Sequence, residues 1–149
     1  MQTLSWSLLG ILAGACIAIQ APINADLARG LGSAIAAAAA SFLAGALALA
    51  SLTAAGGIAG GIWPQFGVPR PWLYVAGGLL GSIYVTTVIL LAPRIGVAAV
   101  MGLAIAGQLA AGILLDRIGF MGLPVHEITA GRAIGALLLV VGALTIRLT

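Results

Sequence analysis

Residues 4–27 read LSWSLLGILAGACIAIQAPINADL, and this stretch decides the class of protein to which the chain belongs. No residue before Asp26 carries a charged side chain. As a helix of about 20 residues, an uncharged run of this kind crosses the hydrocarbon core of a bilayer, which is about 30 Å thick. We therefore expect residues 4–27 to form a first transmembrane helix.

The second half of this stretch is polar. Gln20 and Asn24 are four residues apart, so they share one face of a helix. Pro22 cannot donate a backbone hydrogen bond and crowds the carbonyl of Ala18, which leaves a free acceptor nearby. Two interpretations stay open for the amides: they join helices, at about 0.6–2 kcal/mol per hydrogen bond, or they line a polar cavity.

The composition of the whole chain is that of an integral membrane protein. Of its 149 residues, 62% are hydrophobic and 6% are charged, whereas about a quarter of the residues of a soluble domain are charged. The formal net charge of +3 comes from single, scattered residues, so we expect no nucleic-acid partner. Arg29 is the first basic residue and follows the apolar run, so we expect the first helix to be retained rather than removed as a secretory signal.

Four further apolar runs predict four more helices. We expect helices at about residues 33–55, 72–91, 97–115 and 130–148, which makes residues 1–149 a single five-helix transmembrane domain of an all-α protein. The segment GGIAGGIWPQFGVPRP at 56–71 predicts the longest loop up to that point. Its aromatic residues Trp63 and Phe66, with Trp72, are typical of a membrane interface.

Candidate binding residues lie on the third and fourth helices. Ser82, Thr86 and Thr87 can bond the carbonyls of their own helix, and we favour that interpretation for them. Tyr84 is a candidate cavity residue. Gln108, near the middle of an apolar helix, is an amide that needs a partner inside the membrane.

The fifth helix carries small residues suited to close packing. Gly131 and Gly135 have GxxxG spacing, and Gly142 follows on the same helix. We expect these glycines to serve helix packing or dimerisation. Thr129 precedes the run and is a suitable N-cap for it.

The arginines show no preference for one side of the membrane. Five spans put the two ends of the chain on opposite sides, which assigns three arginines to each side: Arg70, Arg117 and Arg132 to one, and Arg29, Arg94 and Arg147 to the other. Because Lys and Arg asymmetry in short loops sets orientation, this balance predicts dual topology.

Two oppositely inserted copies can pair about an axis in the membrane plane, which would reproduce the inverted repeats of transporters. The expected partner is therefore an identical chain in antiparallel orientation, or an oppositely oriented paralogue. The lipid bilayer surrounds the assembly.

Several strings resemble one known family. They are the Q-x-x-x-N of the first helix, PWLYVAGGLLGSIYV at 71–85, LAPRIG at 91–96 and GQLAAGILLDRIGFMGLP at 107–124. Together they resemble the YdcZ-type five-helix family of the drug/metabolite transporter (DMT) superfamily. The resemblance implies half of a ten-helix fold in the bacterial inner membrane that works as an antiparallel dimer. It also implies that helices one to four line the cavity, that helix five lies at the periphery, and that the motif residues are Gln20, Asn24, Gln108 and Asp116.

The resemblance extends to the four-helix multidrug exporters related to this family, whose first helix carries a membrane-embedded glutamate. This chain differs from them in the position of its acidic residues. Asp26 and Asp116 lie at helix ends, and Asp26 can pair with Arg29 three residues later. Proton coupling is not evident, and these two carboxylates are the candidates for any ion or proton coupling. Amides and hydroxyls suit a small neutral or zwitterionic polar solute.

We therefore expect a secondary transporter or facilitator of small polar solutes that works by alternating access around a midplane site. Two alternatives stay open: a dual-topology ion channel, and a non-transporting assembly partner held by its GxxxG helices. We expect no enzyme, metal site or cofactor, because His126 is the single histidine and lies in a loop with no second histidine to complete a metal site.

Overall fold

The computed structural model is all-helical and describes residues 2–61, 63–65, 67 and 70–148; Phe66 lies outside the described residues. Its helices are α1 (Gln2–Leu31), α2 (Ala34–Gly60), α3 (Leu73–Ile95), α4 (Val97–Ile118) and α5 (Ala130–Leu148), with a short 3₁₀ turn at Phe120–Gly122. Each of the five α-helices is long and apolar enough to cross a membrane. The prediction of an all-α chain with five long apolar helices is confirmed.

Large apolar side chains cover the outside of these helices. Trp6 and Ile11 of α1 are each 70% exposed, and Leu80 of α3 is 69% exposed. A soluble domain rarely exposes contiguous apolar surface of this kind, whereas lipid tails solvate it well.

Four helices run beyond the apolar stretches that predicted them. Their last residues are Leu31 rather than residue 27 in α1, Gly60 rather than 55 in α2, Ile95 rather than 91 in α3 and Ile118 rather than 115 in α4. Each ends next to a glycine with a positive φ: Gly32 (67°), Gly61 (65°), Gly96 (80°) and Gly119 (61°). The residue that can adopt this conformation therefore sets the helix end, and the edge of the apolar run does not.

The chain divides into two compact units, Met1–Leu90 and Leu91–Thr149. In the first unit, α1 and α2 form a hairpin. Ser33 caps α2 by accepting a hydrogen bond from the Ala36 backbone N–H at 3.2 Å, and its own N–H donates to the Ala28 carbonyl at 3.2 Å. These bonds satisfy backbone groups at the turn that would otherwise lack partners.

A small core joins α2 to α3 within the first unit. Ala37 and Ala38 pack with Val85 and Ile89, all of them buried. One turn further along α2, the ring of Phe42 lies so close to Gly81 that a Cβ at Gly81 would be 3.0 Å from it. Small residues therefore let α3 pack against α2.

The second unit is a hairpin of α4 and α5. The two helices pack closely where Gly102 meets Ala143: a Cβ added to Gly102 would lie 3.2 Å from the Ala143 Cβ and 3.3 Å from its Cα. Gly119 ends α4 with φ 61°, and the loop turns back so that the His126 N–H donates to the Asp116 carbonyl at 3.0 Å. This bond fixes the loop against the end of α4.

Thr129 is the N-cap of α5, as the sequence predicts. Its Oγ1 accepts a hydrogen bond from the Arg132 N–H at 3.3 Å, and its carbonyl accepts one from the Ala133 N–H at 3.0 Å. The cap therefore sets the rotation of the first turn of α5, on which Arg132 lies.

Candidate functional site

One face of α4 carries both of its predicted site residues. Gln108, Gly112 and Asp116 follow each other at intervals of four residues, so they lie above one another on the face that borders α5. Eight residues of helix separate Gln108 from Asp116 along the axis by about 12 Å. The face thus carries an amide in its middle and a carboxylate near its end.

Arg132, at the start of α5, meets that carboxylate. Its Nη1 lies 3.1 Å from Oδ2 of Asp116, and the two side chains are 38% and 35% exposed. A cation in the first turn of a helix opposes the helix dipole, so the aspartate offsets an arrangement that would otherwise be unfavourable. The pair also ties the end of α4 to the beginning of α5.

The hydrogen bonding of this ion pair is incomplete. Nη1 of Arg132 is screened from solvent, and it makes no hydrogen bond with any residue that the structure describes. It is close enough to Asp116 for an ion pair, but the alignment is not that of a hydrogen bond. A guanidinium has five N–H donors, so this side chain retains donor capacity for a further acceptor.

A cleft of about 380 Å³ runs along this part of the hairpin. Polar groups are few in its wall, which is lined by Gln108, Leu109, Gly112, Ile113, Asp116, Arg132, Gly135, Ala136 and Leu139. Binding sites for small molecules have this size and this pattern, a mostly apolar wall with a few placed polar groups. The cleft can hold a small solute that has both a polar and an apolar part.

The first unit holds the other two predicted amides. Gln20 of α1 donates a hydrogen bond from Nε2 to Oγ of Ser41 on α2 at 3.3 Å. The bond is long and Gln20 is exposed, so the amide joins the two helices and still presents a polar surface. Pro22 leaves α1 unbroken, and it supplies no N–H to the Ala18 carbonyl.

Asn24 lies one turn further along α1 and is buried. It is 4% exposed and is the one buried polar residue among those that the structure describes. In the antiparallel hairpin, the Gln20–Ser41 bond and the Ala28–Ser33 bond place Asn24 at the level of Ala37, which is 0% exposed.

Tyr84 is half-buried and packs against the small core of the first unit, which is formed by Ala37, Ala38, Val85 and Ile89. Its neighbours Ser82 and Thr87 donate to carbonyls of their own helix, Gly78 and Ile83, each at 2.8 Å. The prediction that these two hydroxyls serve their own helix is confirmed.

Asp26 pairs with Arg29, as the spacing predicts. Oδ1 of Asp26 accepts a hydrogen bond from Nη2 of Arg29 at 2.6 Å, and both side chains are more than two-thirds exposed. Both candidate coupling carboxylates, Asp26 and Asp116, are thus partnered by an arginine.

The glycines of α5 have space around them within the chain. A Cβ at Gly135 or Gly142 would meet nothing within 4 Å, and one at Gly131 would meet only Oγ1 of Thr129 at 4.0 Å. The close contact between α4 and α5 uses Gly102 and Ala143 instead. There is space for a side chain at all three glycines, although Gly135 also lines the cleft described above, and their role in dimerisation remains a prediction.

A second, larger cavity, of about 620 Å³, lies beside the end of α2. It is lined by Ala50, Thr53, Ala54, Trp63 and Pro64. Trp63 also covers Gly57, where an added Cβ would lie 2.6 Å from the indole ring. This lining has no charged group, so we regard the α4–α5 cleft as the better candidate site.

The structure brings two of the predicted site residues, Gln108 and Asp116, into one cleft, with Gly135 in its wall. It places Gln20, Asn24, Asp26 and Tyr84 in the other unit. Sequence reasoning missed Arg132 and Ser41 as partners of predicted residues. The signal for both is the register of a helical hairpin, which pairs residues far apart in the chain.

Comparison with known proteins agrees with the resemblance. Residues 5–145 match the family model DMT_YdcZ, described as "Putative inner membrane exporter, YdcZ". No curated protein and no solved structure matches the chain. With nearly the whole chain matched and five helices long and apolar enough to span a membrane, the chain belongs to the YdcZ family of multi-pass proteins of the bacterial inner membrane.

Proposed function

We propose that the chain is a secondary transporter or facilitator for small, polar, neutral or zwitterionic solutes. The observation that carries the proposal is the α4–α5 cleft, where Gln108 and the Asp116–Arg132 pair lie among apolar side chains. Ionisable groups that face a cleft between membrane helices commonly mark a solute path. Membership of an inner membrane exporter family supports the same function.

The working unit in this proposal is an antiparallel dimer. Three arginines on each side of the membrane support dual topology, since short-loop Lys and Arg asymmetry is what fixes orientation. Two opposed copies would supply ten helices around a shared midplane site, and one half would rock against the other. Gln20, Asn24, Tyr84 and Gln108 are the side chains that we assign to that site.

Two carboxylates near helix ends, Asp26 and Asp116, are the groups that we assign to any ion or proton coupling. Asp26 and Asp116 are each paired with an arginine, so a coupling proton or cation would compete with that arginine for the carboxylate. A uniporter or facilitator involves no such competition. We therefore favour transport down a solute gradient as the basic activity.

Flux measurements test the proposal. Purified protein is reconstituted in liposomes with labelled glycerol, glycine and glucose, and uptake is followed against solute concentration. Slow, saturable uptake of one of these or of a related polar solute is the expected result. Unsaturable ion conductance would contradict the proposal and favour a channel, since a pore conducts far faster than alternating access.

A further inference from the structure

The Asp116–Arg132 pair presents one negative and one positive pole within the same cleft. Both side chains are about one-third exposed, and both line the cleft wall. A ligand with a single charge would gain one pole and be repelled by the other, whereas a zwitterion complements both. The charge arrangement therefore selects for ligands that carry both signs.

From this arrangement, we infer that the α4–α5 cleft is a docking site for a water-soluble zwitterion with a short apolar tail. Arg132 binds the anionic group, Asp116 binds the cationic group, and the tail lies against Ile113 and Leu139. The inference rests on the proposed transport function and names the class of its solute.

The incomplete hydrogen bonding of Arg132 supports ligand binding. Nη1 is shielded from solvent without a hydrogen bond, and a half-satisfied ion pair is costly in surroundings of low dielectric. A carboxylate oxygen that approaches the guanidinium would give this group the charge-assisted bonds that Asp116 alone does not provide.

The shape of the cleft favours a small solute over a phospholipid. Gly112, Gly135 and Ala136 keep the wall near the ion pair open, and a Cβ at either glycine would meet no atom within 4 Å. Gln108 then lies about two turns deeper. An acyl chain running along the cleft would cover that amide with hydrocarbon and leave it without a hydrogen bond, which is unfavourable. A short tail ends before Gln108 and leaves its amide free to bond a polar partner.

Equilibrium binding to the purified full-length protein in nanodiscs tests the inference, with four matched probes. Leucine has both charges, 4-methylpentanoate lacks the ammonium group, 3-methylbutylamine lacks the carboxylate, and 4-methylpentanamide has neither. We expect leucine to bind at least about tenfold more tightly than the other three, because each charged hydrogen bond contributes about that factor. This comparison uses the unmodified protein, so it does not depend on whether a variant folds.

Variants then locate the site. Asp116→Asn and Arg132→Gln should each weaken leucine binding by about tenfold or more, and Arg132→Lys should weaken it less. Arg117→Gln is the matched control. It removes one positive charge at the end of α4, next to Asp116, but from an exposed residue outside the cleft. It should leave binding unchanged.

Three results would overturn the inference: absence of leucine binding, equal binding of 4-methylpentanoate and leucine, or co-purification of phosphatidylethanolamine that is lost in Arg132→Gln while leucine fails to bind. The liposome flux assay is independent of these. Saturable flux of a neutral solute without zwitterion binding would refute this inference and leave the proposed function standing, whereas absence of any flux would contradict the proposed function itself.

Discussion

Gln20 and Ser41 lie 21 positions apart in the sequence, yet Nε2 of the first donates to Oγ of the second at 3.3 Å. This bond links α1 to α2 at Gln20, the first residue of the polar segment of α1 that also holds Asn24. It supports the helix-joining interpretation of Gln20, and the exposure of the same residue leaves a cavity role open to test.

Substitutions at these two positions separate joining from solute contact. If Gln20 only joins helices, Gln20→Ala and Ser41→Ala should each lower stability by about 0.6–2 kcal/mol, and the double variant should lose no more than one of them, because both remove the same bond. If Gln20 also contacts solute, Gln20→Ala should reduce flux several-fold more than Ser41→Ala. Thermal unfolding in detergent and liposome uptake measure the two effects, and equal flux in both variants would exclude solute contact by Gln20.

The contact of Gly102 with Ala143 predicts where α4 and α5 tolerate no added bulk. Gly102→Leu should destabilise the hairpin by about 1–3 kcal/mol or more, because its side chain meets Ala143 Cβ and Cα directly. Gly107→Leu on the same helix, where an added Cβ meets nothing within 4 Å, is the control and should change stability little. Melting temperatures in detergent test this, and equal losses in the two variants would contradict the packing described for the second unit.

The open glycines of α5 predict a surface for a second helix. Gly142→Leu should leave the folded monomer intact and reduce the dimer fraction, because its Cβ meets open space within the chain but would obstruct a closely packed neighbour. Gly10→Leu, at an equally open position of α1, is the control. Sedimentation equilibrium in density-matched detergent measures the dimer fraction of the purified variants, and an unchanged fraction in Gly142→Leu would remove this glycine from the interface.

The sequence predicts the helices of this chain better than their ends. Long apolar runs identify all five helices because a membrane requires about 20 apolar residues for each span. Their ends depend on single glycines that can adopt a positive φ, and Gly61 does so whereas Gly56 and Gly57 continue α2. A run of glycines gives no indication of which member will end the helix.

The candidate site was predicted only in part, for a related reason. Gln108 and Asp116 stand out individually, as polar residues on an apolar helix. Arg132 looks like an ordinary arginine that extends from a helix end to the membrane surface, and its pairing with Asp116 depends on the α4–α5 register. The Gly102–Ala143 contact was equally hidden, because the chain is rich in both residue types.

Removal of single arginines tests whether the balance of charges controls insertion. Arg117→Gln and Arg147→Gln each remove one positive charge, from opposite sides in the proposed topology, and both residues are exposed. We expect the two variants to shift the proportion of the two orientations in opposite directions, since the more basic side tends to stay in the cytoplasm. Shifts in the same direction, or no shift in either variant, would show that these charges do not control orientation.

The orientation of chains that keep all six arginines is the most direct test of the central claim, which is dual topology. A cysteine is appended after Thr149 in a Cys16→Ala background and is labelled with a membrane-impermeant maleimide, in intact spheroplasts and in inverted vesicles. Our account predicts that each preparation labels a comparable fraction of the chains, because the two orientations coexist. Labelling that is nearly complete in one preparation and negligible in the other would contradict dual topology, and the antiparallel dimer with it.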